Sequence, residues 1–262
     1  MRTHIEYGIL LDKMQNSGLL DLEPLPGKIS GEFFFSDVQY GACQIMMSCR
    51  GTQHDLSMFF HEIGHVLQLN LMMDNPLYTY LRLPLDIREI ASQAILYLSM
   101  KYWEDFYPDK NQLKVAIRHQ FADDLIQLNK SLCLTQFQLE LFRYPDWTLQ
   151  QSEERFLQLW REYYPHYPEE YWSEFDPALW LREITVIDYP FYSIHTTLSL
   201  FAVWEFHKAF IKNPDAAVPR LHQFLIHAAE YDTAKLYETL GVKFDHTESH
   251  LKKCLDYVKR FL

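Results

Sequence analysis

The chain of 262 residues has little cysteine, little glycine and no long apolar run. Its four cysteines form no C-x-x-C pair, which argues against a disulfide scaffold and against zinc held by cysteine thiolates. We therefore expect free thiols in a reducing compartment. No segment approaches the roughly 20 apolar residues that cross a bilayer. The amino terminus also lacks the apolar run of roughly 7–15 residues found in export signals. The sequence thus predicts a cytoplasmic protein without a membrane partner.

Basic residues are also in the minority. Lys and Arg number 24 against 35 Asp and Glu, so the formal net charge is -11. No basic run is long enough to follow a phosphate backbone, which argues against a nucleic-acid partner. The hydrophobic content of 48% can fill a core and excludes a disordered tail. Without an internal repeat or a flexible Gly/Ser linker, we expect one domain over residues 1–262.

Apolar residues recur at three- and four-residue intervals through most of the chain, which predicts a mainly α fold. The exception is Gly31–Cys49, where β-branched and aromatic residues interrupted by turn signals predict two or three short strands. A small β-sheet near the N-terminus therefore precedes the first long helix, which opens with a capping box at Thr52 and runs to about Leu71. Further helices are predicted after Pro84 and near 109–130, 148–164, 189–212, 214–228 and 246–261.

The segment Trp160–Trp180 is dense in aromatic and acidic residues and contains three prolines. We interpret it as an irregular packed connection, because aromatic side chains bury large areas wherever they can. A substrate-lining loop is the alternative.

The first long helix contains the pattern H-E-x-x-H, formed by His61, Glu62 and His65. A spacing of four places both imidazoles on one helical face about one turn apart, where their nitrogens can bind a single cation. Glu62, displaced by about 100°, can reach a water molecule on the open side. Zinc suits this motif and would satisfy two histidines in an otherwise apolar helix. An accidental match in a helical scaffold is the alternative.

Catalytic zinc usually takes three protein ligands. Glu89 follows His65 by 24 residues, which leaves room for a connection and an antiparallel return to the same site. We predict Glu89 as the third ligand, with a solvated helix charge as the alternative. Asp86, one turn before Glu89, could accept the remaining N–H of a ligating imidazole. An acid in the first turn of a helix is also favoured by the helix dipole, so both interpretations of Asp86 stay open.

The segments GKISG, GTQHDLSMFFHEIGHVLQ and LDIREIASQ resemble the thimet oligopeptidase and oligoendopeptidase F family of zinc metallopeptidases. WLREITVIDYPFYSIHTTLSLFAVWEF is similar to that family's C-terminal tryptophan, histidine and P-F-Y region. The resemblance covers nearly the whole chain but only the C-terminal catalytic half of the family, and it implies a zincin-like helical catalytic domain. It implies His61, His65 and Glu89 as ligands of one zinc ion, and Glu62 as general base in the hydrolysis of short peptides.

The chain departs from the family pattern at several positions. Thr185 stands where the family has a histidine before P-F-Y, and Leu96 stands where an acid often follows the third ligand. In the tyrosine-rich stretch of that region Tyr192 is kept, whereas at least one expected tyrosine is replaced among Ser193, Ile194, His195 and Thr196. The family's histidine and tyrosine side chains hydrogen-bond the oxyanion of the tetrahedral intermediate, so these replacements predict slow or redirected turnover.

Two hypotheses for function follow from the resemblance. In the first, the chain is a zinc metalloendopeptidase in which Tyr189, Tyr192 or His195 supplies the missing oxyanion donors, although each could equally be a packed helix residue. In the second, it is a catalytically weakened peptide-binding or regulatory protein, or a catalytic half that needs an N-terminal partner or a homo-oligomer. In either case the resemblance implies that the strand Ala42–Cys49 pairs with the backbone of a peptide.

Overall fold

The computed structural model describes residues 5–28, 31–37, 42–73 and 82–262. In these ranges the fold is mainly α with one small sheet near the N-terminus, as the sequence predicts. The strands are β1 (Leu20–Asp21), β2 (Glu32–Asp37) and β3 (Ala42–Met47). The α-helices are α1 (Ile5–Asn16), α2 (Gln53–Met72), α3 (Leu85–Ser99), α4 (Lys110–Arg143), α5 (Leu149–Tyr163), α6 (Glu169–Glu174), α7 (Ile184–Ile187), α8 (Tyr192–Lys212), α9 (Pro214–Ile226), α10 (Thr233–Leu240) and α11 (Glu248–Val258). Two 3-10 helices cover Met100–Asp105 and Pro177–Arg182.

The chain divides into two compact units. The first unit comprises Met1–Phe121 and Ser199–Leu262, and the second unit comprises Ala122–Leu198. The single domain expected over residues 1–262 stays a prediction. None of the helices in the described ranges combines the length and apolar character needed to span a membrane.

The three described strands form one sheet in the order β1-β3-β2. β2 runs antiparallel to β3 along all six residues, and β1 runs parallel to β3 opposite Ile45 and Met46. β3 is therefore the central strand, and over Ile45–Met46 both of its edges are occupied. Pairing of the strand Ala42–Cys49 with a peptide backbone stays a prediction, because β1 is in register only with Ile45 and Met46, while among the described strands the longer free edge belongs to β2.

Helices α2 and α3 form the centre of the first unit. α2 begins as predicted with a capping box: the backbone N–H of Asp55 donates to the Thr52 hydroxyl at 3.2 Å, and the N–H of Thr52 donates to the Asp55 carboxylate at 2.7 Å. α3 starts directly after Pro84, whose fixed φ suits the entry to a helix. Nearly every residue of α3 is buried, so polar side chains on it face protein rather than solvent.

The second unit has its own aromatic core. Trp160, Tyr164, Trp172 and Trp180 are buried there together, and the Phe156 ring lies 5.3 Å from that of Trp160. A short helix after Pro168 carries Trp172 into this cluster, and the 3-10 helix that starts at Pro177 carries Trp180. The aromatic residues of the segment Trp160–Trp180 are thus packed, as the first interpretation predicts, but helices cover most of the segment, so its expected irregular backbone is wrong.

Candidate metal centre

His61 and His65 on α2 lie together with Glu89 on α3 in the first unit. Nε2 of His61 is 3.5 Å from Oε2 of Glu89, and Nε2 of His65 is 3.9 Å from Oε1 of the same carboxylate. One ligand atom from each of the three side chains lies within 4.8 Å of the other two. Glu89 is only 9% exposed, so it is a buried carboxylate and not a solvated helix charge.

Both histidines of this cluster are neutral near pH 7. Burial lowers the pKa of His61 to about 4. Burial also lowers the pKa of His65 well below its usual value, and the charges of His61 and Arg88 act in the same direction. A neutral imidazole keeps a lone pair on one ring nitrogen, which is the form that binds a metal ion.

Glu62 is a buried carboxyl group beside this cluster, only 6% exposed. Burial raises its pKa to about 7, and the carboxylates of Glu89 and Glu32 add to the increase while Arg88 partly opposes it. A carboxyl group with such a pKa can both take up and release a proton near neutrality.

Strand β2 covers His65 from the sheet side. The ring of Phe34 stacks on the His65 imidazole with 5.9 Å between centroids, and Glu32 lies 3.3 Å from Nε2 of His54. The sequence gives no signal for these neighbours, because the register of β2 has to be known before either side chain can be placed. The face of β2 that packs on α2 is therefore part of the surroundings of the cluster.

Asp86 is buried on the first turn of α3, one turn before Glu89. Nδ1 of His65 is also buried, and it has no hydrogen-bond partner within the described residues. Asp86 therefore does not accept a hydrogen bond from that nitrogen in this structure. Its role as the partner of a ligating imidazole stays a prediction.

Tyr192 and His195 lie on the first turn of α8, and both are half-buried. The Tyr192 ring lies 6.3 Å from that of Tyr189, which is 57% exposed. Ser193 and Thr185, two of the positions that depart from the family pattern, contact each other. The Ser193 hydroxyl donates a hydrogen bond to the Thr185 hydroxyl oxygen at 3.2 Å. All five residues belong to the second unit, whereas the histidine and glutamate cluster belongs to the first. A catalytic role for Tyr192 or His195 stays a prediction.

Comparison with known proteins gives a family match and several structural likenesses. The sequence pattern of peptidase family M3 matches residues 9–254. No curated protein matches the chain. The structure of PZ peptidase A with inhibitor 2 is 19% identical with a TM-score of 0.89, and the match covers 99% of this chain and 46% of that one.

Two further solved structures share the fold. A proposed oligoendopeptidase F is 20% identical with a TM-score of 0.87, and the match covers 99% of this chain and 46% of that one. A proposed oligoendopeptidase F from Bacillus anthracis is 18% identical with a TM-score of 0.80, with coverages of 95% and 42%. At these identities the likeness shows the fold alone. The chain spans slightly less than half the length of these solved structures.

Proposed function

Because the chain belongs to peptidase family M3, we propose that it is a zinc-dependent metallo-oligopeptidase that hydrolyses peptide bonds in short peptides. The observation that carries the proposal is the convergence of His61, His65 and Glu89 in one buried cluster. Two imidazoles and one carboxylate are a ligand set that zinc takes in catalytic sites, where one further position stays open. Imidazole nitrogens also favour zinc over magnesium or calcium, which prefer oxygen ligands.

The donors present fit a single zinc ion. Both imidazoles are neutral, and the carboxylate supplies one negative charge in a buried setting. When bound there, zinc supplies Lewis-acid polarisation of the scissile carbonyl group. Asp86 is proposed to orient one of the ligating imidazoles from the neighbouring turn of α3.

We assign Glu62 the role of general base. Its position next to His61 on α2 displaces its carboxylate by about 100° from the ligand, toward the side from which a water molecule can approach. From there it would take a proton from the attacking water and pass it to the leaving amine. Tyr192 and His195 are proposed hydrogen-bond donors to the oxyanion, a role whose loss typically costs about 2.7–4 kcal/mol of barrier.

A second candidate function is favoured by two observations. The chain corresponds to less than half the length of each of the solved structures compared with it. In addition, the Thr185 and Ser193 side chains form a hydrogen bond with each other where the family pattern has other side chains. The chain would then be a catalytically weakened peptide-binding or regulatory protein, or a catalytic half that needs an N-terminal partner chain or a homo-oligomer. Either function fits the cytoplasm, because all four cysteines are free thiols.

Zinc content and peptide cleavage, measured on the same samples, test both proposals. We expect about one zinc per chain in wild type and in Glu62→Gln. Residue 62 is not a proposed ligand, and glutamine keeps the shape of the glutamate side chain. Cleavage of a quenched peptide library should fall at least about a hundredfold in Glu62→Gln, since general acid–base catalysis contributes factors of that size. A protein without stoichiometric metal after zinc loading would reject the metallopeptidase proposal. Zinc binding without any cleavage by wild type would favour the second candidate.

A further inference from the structure

Gly64 lies on the side of α2 that packs against the backbone of α3. A Cβ atom at this position would overlap Cα of Ser92, and it would lie 2.9 Å from the carbonyl oxygen of Ala91 and 3.1 Å from the backbone nitrogen of Ser92. These are backbone atoms of a buried helix, which cannot turn aside as the end of a flexible side chain can. The two helices therefore approach each other here more closely than any residue other than glycine allows.

A glycine inside a helix destabilises it relative to alanine, so a helical glycine needs a local reason. The close approach of α3 is that reason. The hydroxyl of Ser92 is turned back along its own helix and donates to the carbonyl oxygen of Glu89 at 3.0 Å. This leaves the backbone of Ser92 as the surface on which Gly64 packs.

The contact lies at the level of the proposed metal ligands. Gly64 directly precedes His65 on α2, and Ser92 lies one turn after Glu89 on α3. A second contact between the same helices lies on the other side of Glu89, where Nε2 of the buried Gln68 donates to the carbonyl oxygen of Ile87 at 3.4 Å. The carboxylate that approaches both histidines is thus carried by a segment of α3 held against α2 before and after Glu89.

We infer that Gly64 is a positioning residue for the metal centre. It sets the separation of α2 and α3, and this separation sets how far the Glu89 carboxylate reaches toward His61 and His65. The inference rests on the proposed function, because it assumes that these three side chains hold a zinc ion. Adding one methyl group at Gly64 must displace α3, and Glu89 moves with it.

A double-mutant cycle on zinc affinity tests this inference, with competition against a chromophoric chelator as the readout. We expect Gly64→Ala to weaken zinc binding at least about tenfold, the lower end of what loss of an outer contact costs a metal site. In a Glu89→Ala background the same substitution should change affinity less than about threefold, because the side chain through which Gly64 acts is then gone. If Gly64 had a purely structural role, Gly64→Ala would weaken zinc binding equally with and without the Glu89 side chain.

Two controls separate positioning from loss of stability. Ser92→Ala removes a hydroxyl but leaves the Cα on which Gly64 packs, so its zinc affinity should match wild type. Val258→Ala creates a cavity on α11 and lowers stability, and it should also keep the wild-type affinity. Unfolding curves of the metal-free proteins, monitored by circular dichroism, show whether Gly64→Ala is folded.

If Gly64→Ala does not fold, Gln68→Met tests whether contacts between α2 and α3 set the zinc affinity. This substitution removes the hydrogen bond to Ile87 without adding atoms between the helices. It too should weaken zinc binding, and the loss should again disappear in the Glu89→Ala background. Wild-type affinity in a folded Gly64→Ala protein, or an equal loss with and without Glu89, would overturn the inference. A wild-type protein that binds no zinc, or one whose affinity ignores Glu89→Ala, would instead refute the proposed function.

Discussion

His207 is a buried histidine that takes no part in the proposed chemistry. It is 4% exposed on α8, its Nδ1 lies 3.1 Å from the Tyr257 hydroxyl, and its ring packs against that of Tyr97 with 4.8 Å between centroids. Burial lowers the pKa of His207 to about 4 and raises that of Tyr257, so both groups are neutral at neutral pH. The folded protein therefore binds a proton at His207 less readily than the unfolded chain does.

This difference predicts a loss of stability on acidification. Between pH 6.5 and about pH 4 the unfolded chain binds a proton at His207 that the folded protein does not, so the free energy of unfolding falls as the pH falls through this window. From pH 7 to pH 5, wild type should lose about 2 kcal/mol more than His207→Gln, as measured by urea unfolding. Equal losses in the two proteins would show that His207 titrates normally in the folded state.

The ligand residues could be predicted from the sequence because the information that places them is local. The spacing of His61 and His65 puts them on one face of α2, and a single antiparallel return brings Glu89 alongside. Gly64 and Gln68 could not be assigned a role in the same way. Their importance depends on which face of α2 meets α3 and at what distance, and this follows from packing and not from spacing.

At the scale of elements, Gln138 on α4 holds the segment that precedes α8. It is 1% exposed, and its side-chain N–H groups donate to the carbonyl oxygens of Thr185 at 3.0 Å and Val186 at 3.2 Å. The side-chain amide oxygen of Gln138 accepts a hydrogen bond from the backbone N–H of Phe191 at 3.2 Å. Phe191 has a φ of 61°, a left-handed conformation that disfavours a bulky residue and persists only where neighbouring contacts enforce it.

Gln138→Met should therefore destabilise the second unit, because it leaves three backbone groups, one buried and two partly buried, without their side-chain partner. We expect a loss on the order of 3 kcal/mol in the free energy of unfolding, together with faster hydrogen exchange at residues 185–192. Gln127→Met is the matched control, since Gln127 is exposed on the same helix and its replacement should change stability by less than about 0.5 kcal/mol. Similar effects of the two substitutions would contradict a holding role for Gln138.

Helix types could be predicted better than helix ends or strand order. The pattern near 109–130 predicts a helix, but α4 continues to Arg143 because no glycine or proline interrupts it and its later turns pack in the core of the second unit. Helices α1 and α10 were not predicted, since neither has an apolar stripe long enough to stand out. The central place of β3 could not be predicted either, because the two-residue strand β1 that pairs with it carries no signal of its own.

For the whole molecule, the proposed ligands all lie in the first unit, so metal binding should affect the two units differently. Free zinc at a thousandfold excess over its dissociation constant should stabilise the folded first unit by about 4 kcal/mol. Hydrogen exchange should slow in α2 and α3 when zinc is added and return when a chelator removes it, while α5, in the core of the second unit, should keep its rate. Glu89→Gln should reduce the response of α2 and α3. An equal response in α5, or none in any helix, would contradict a metal centre confined to the first unit.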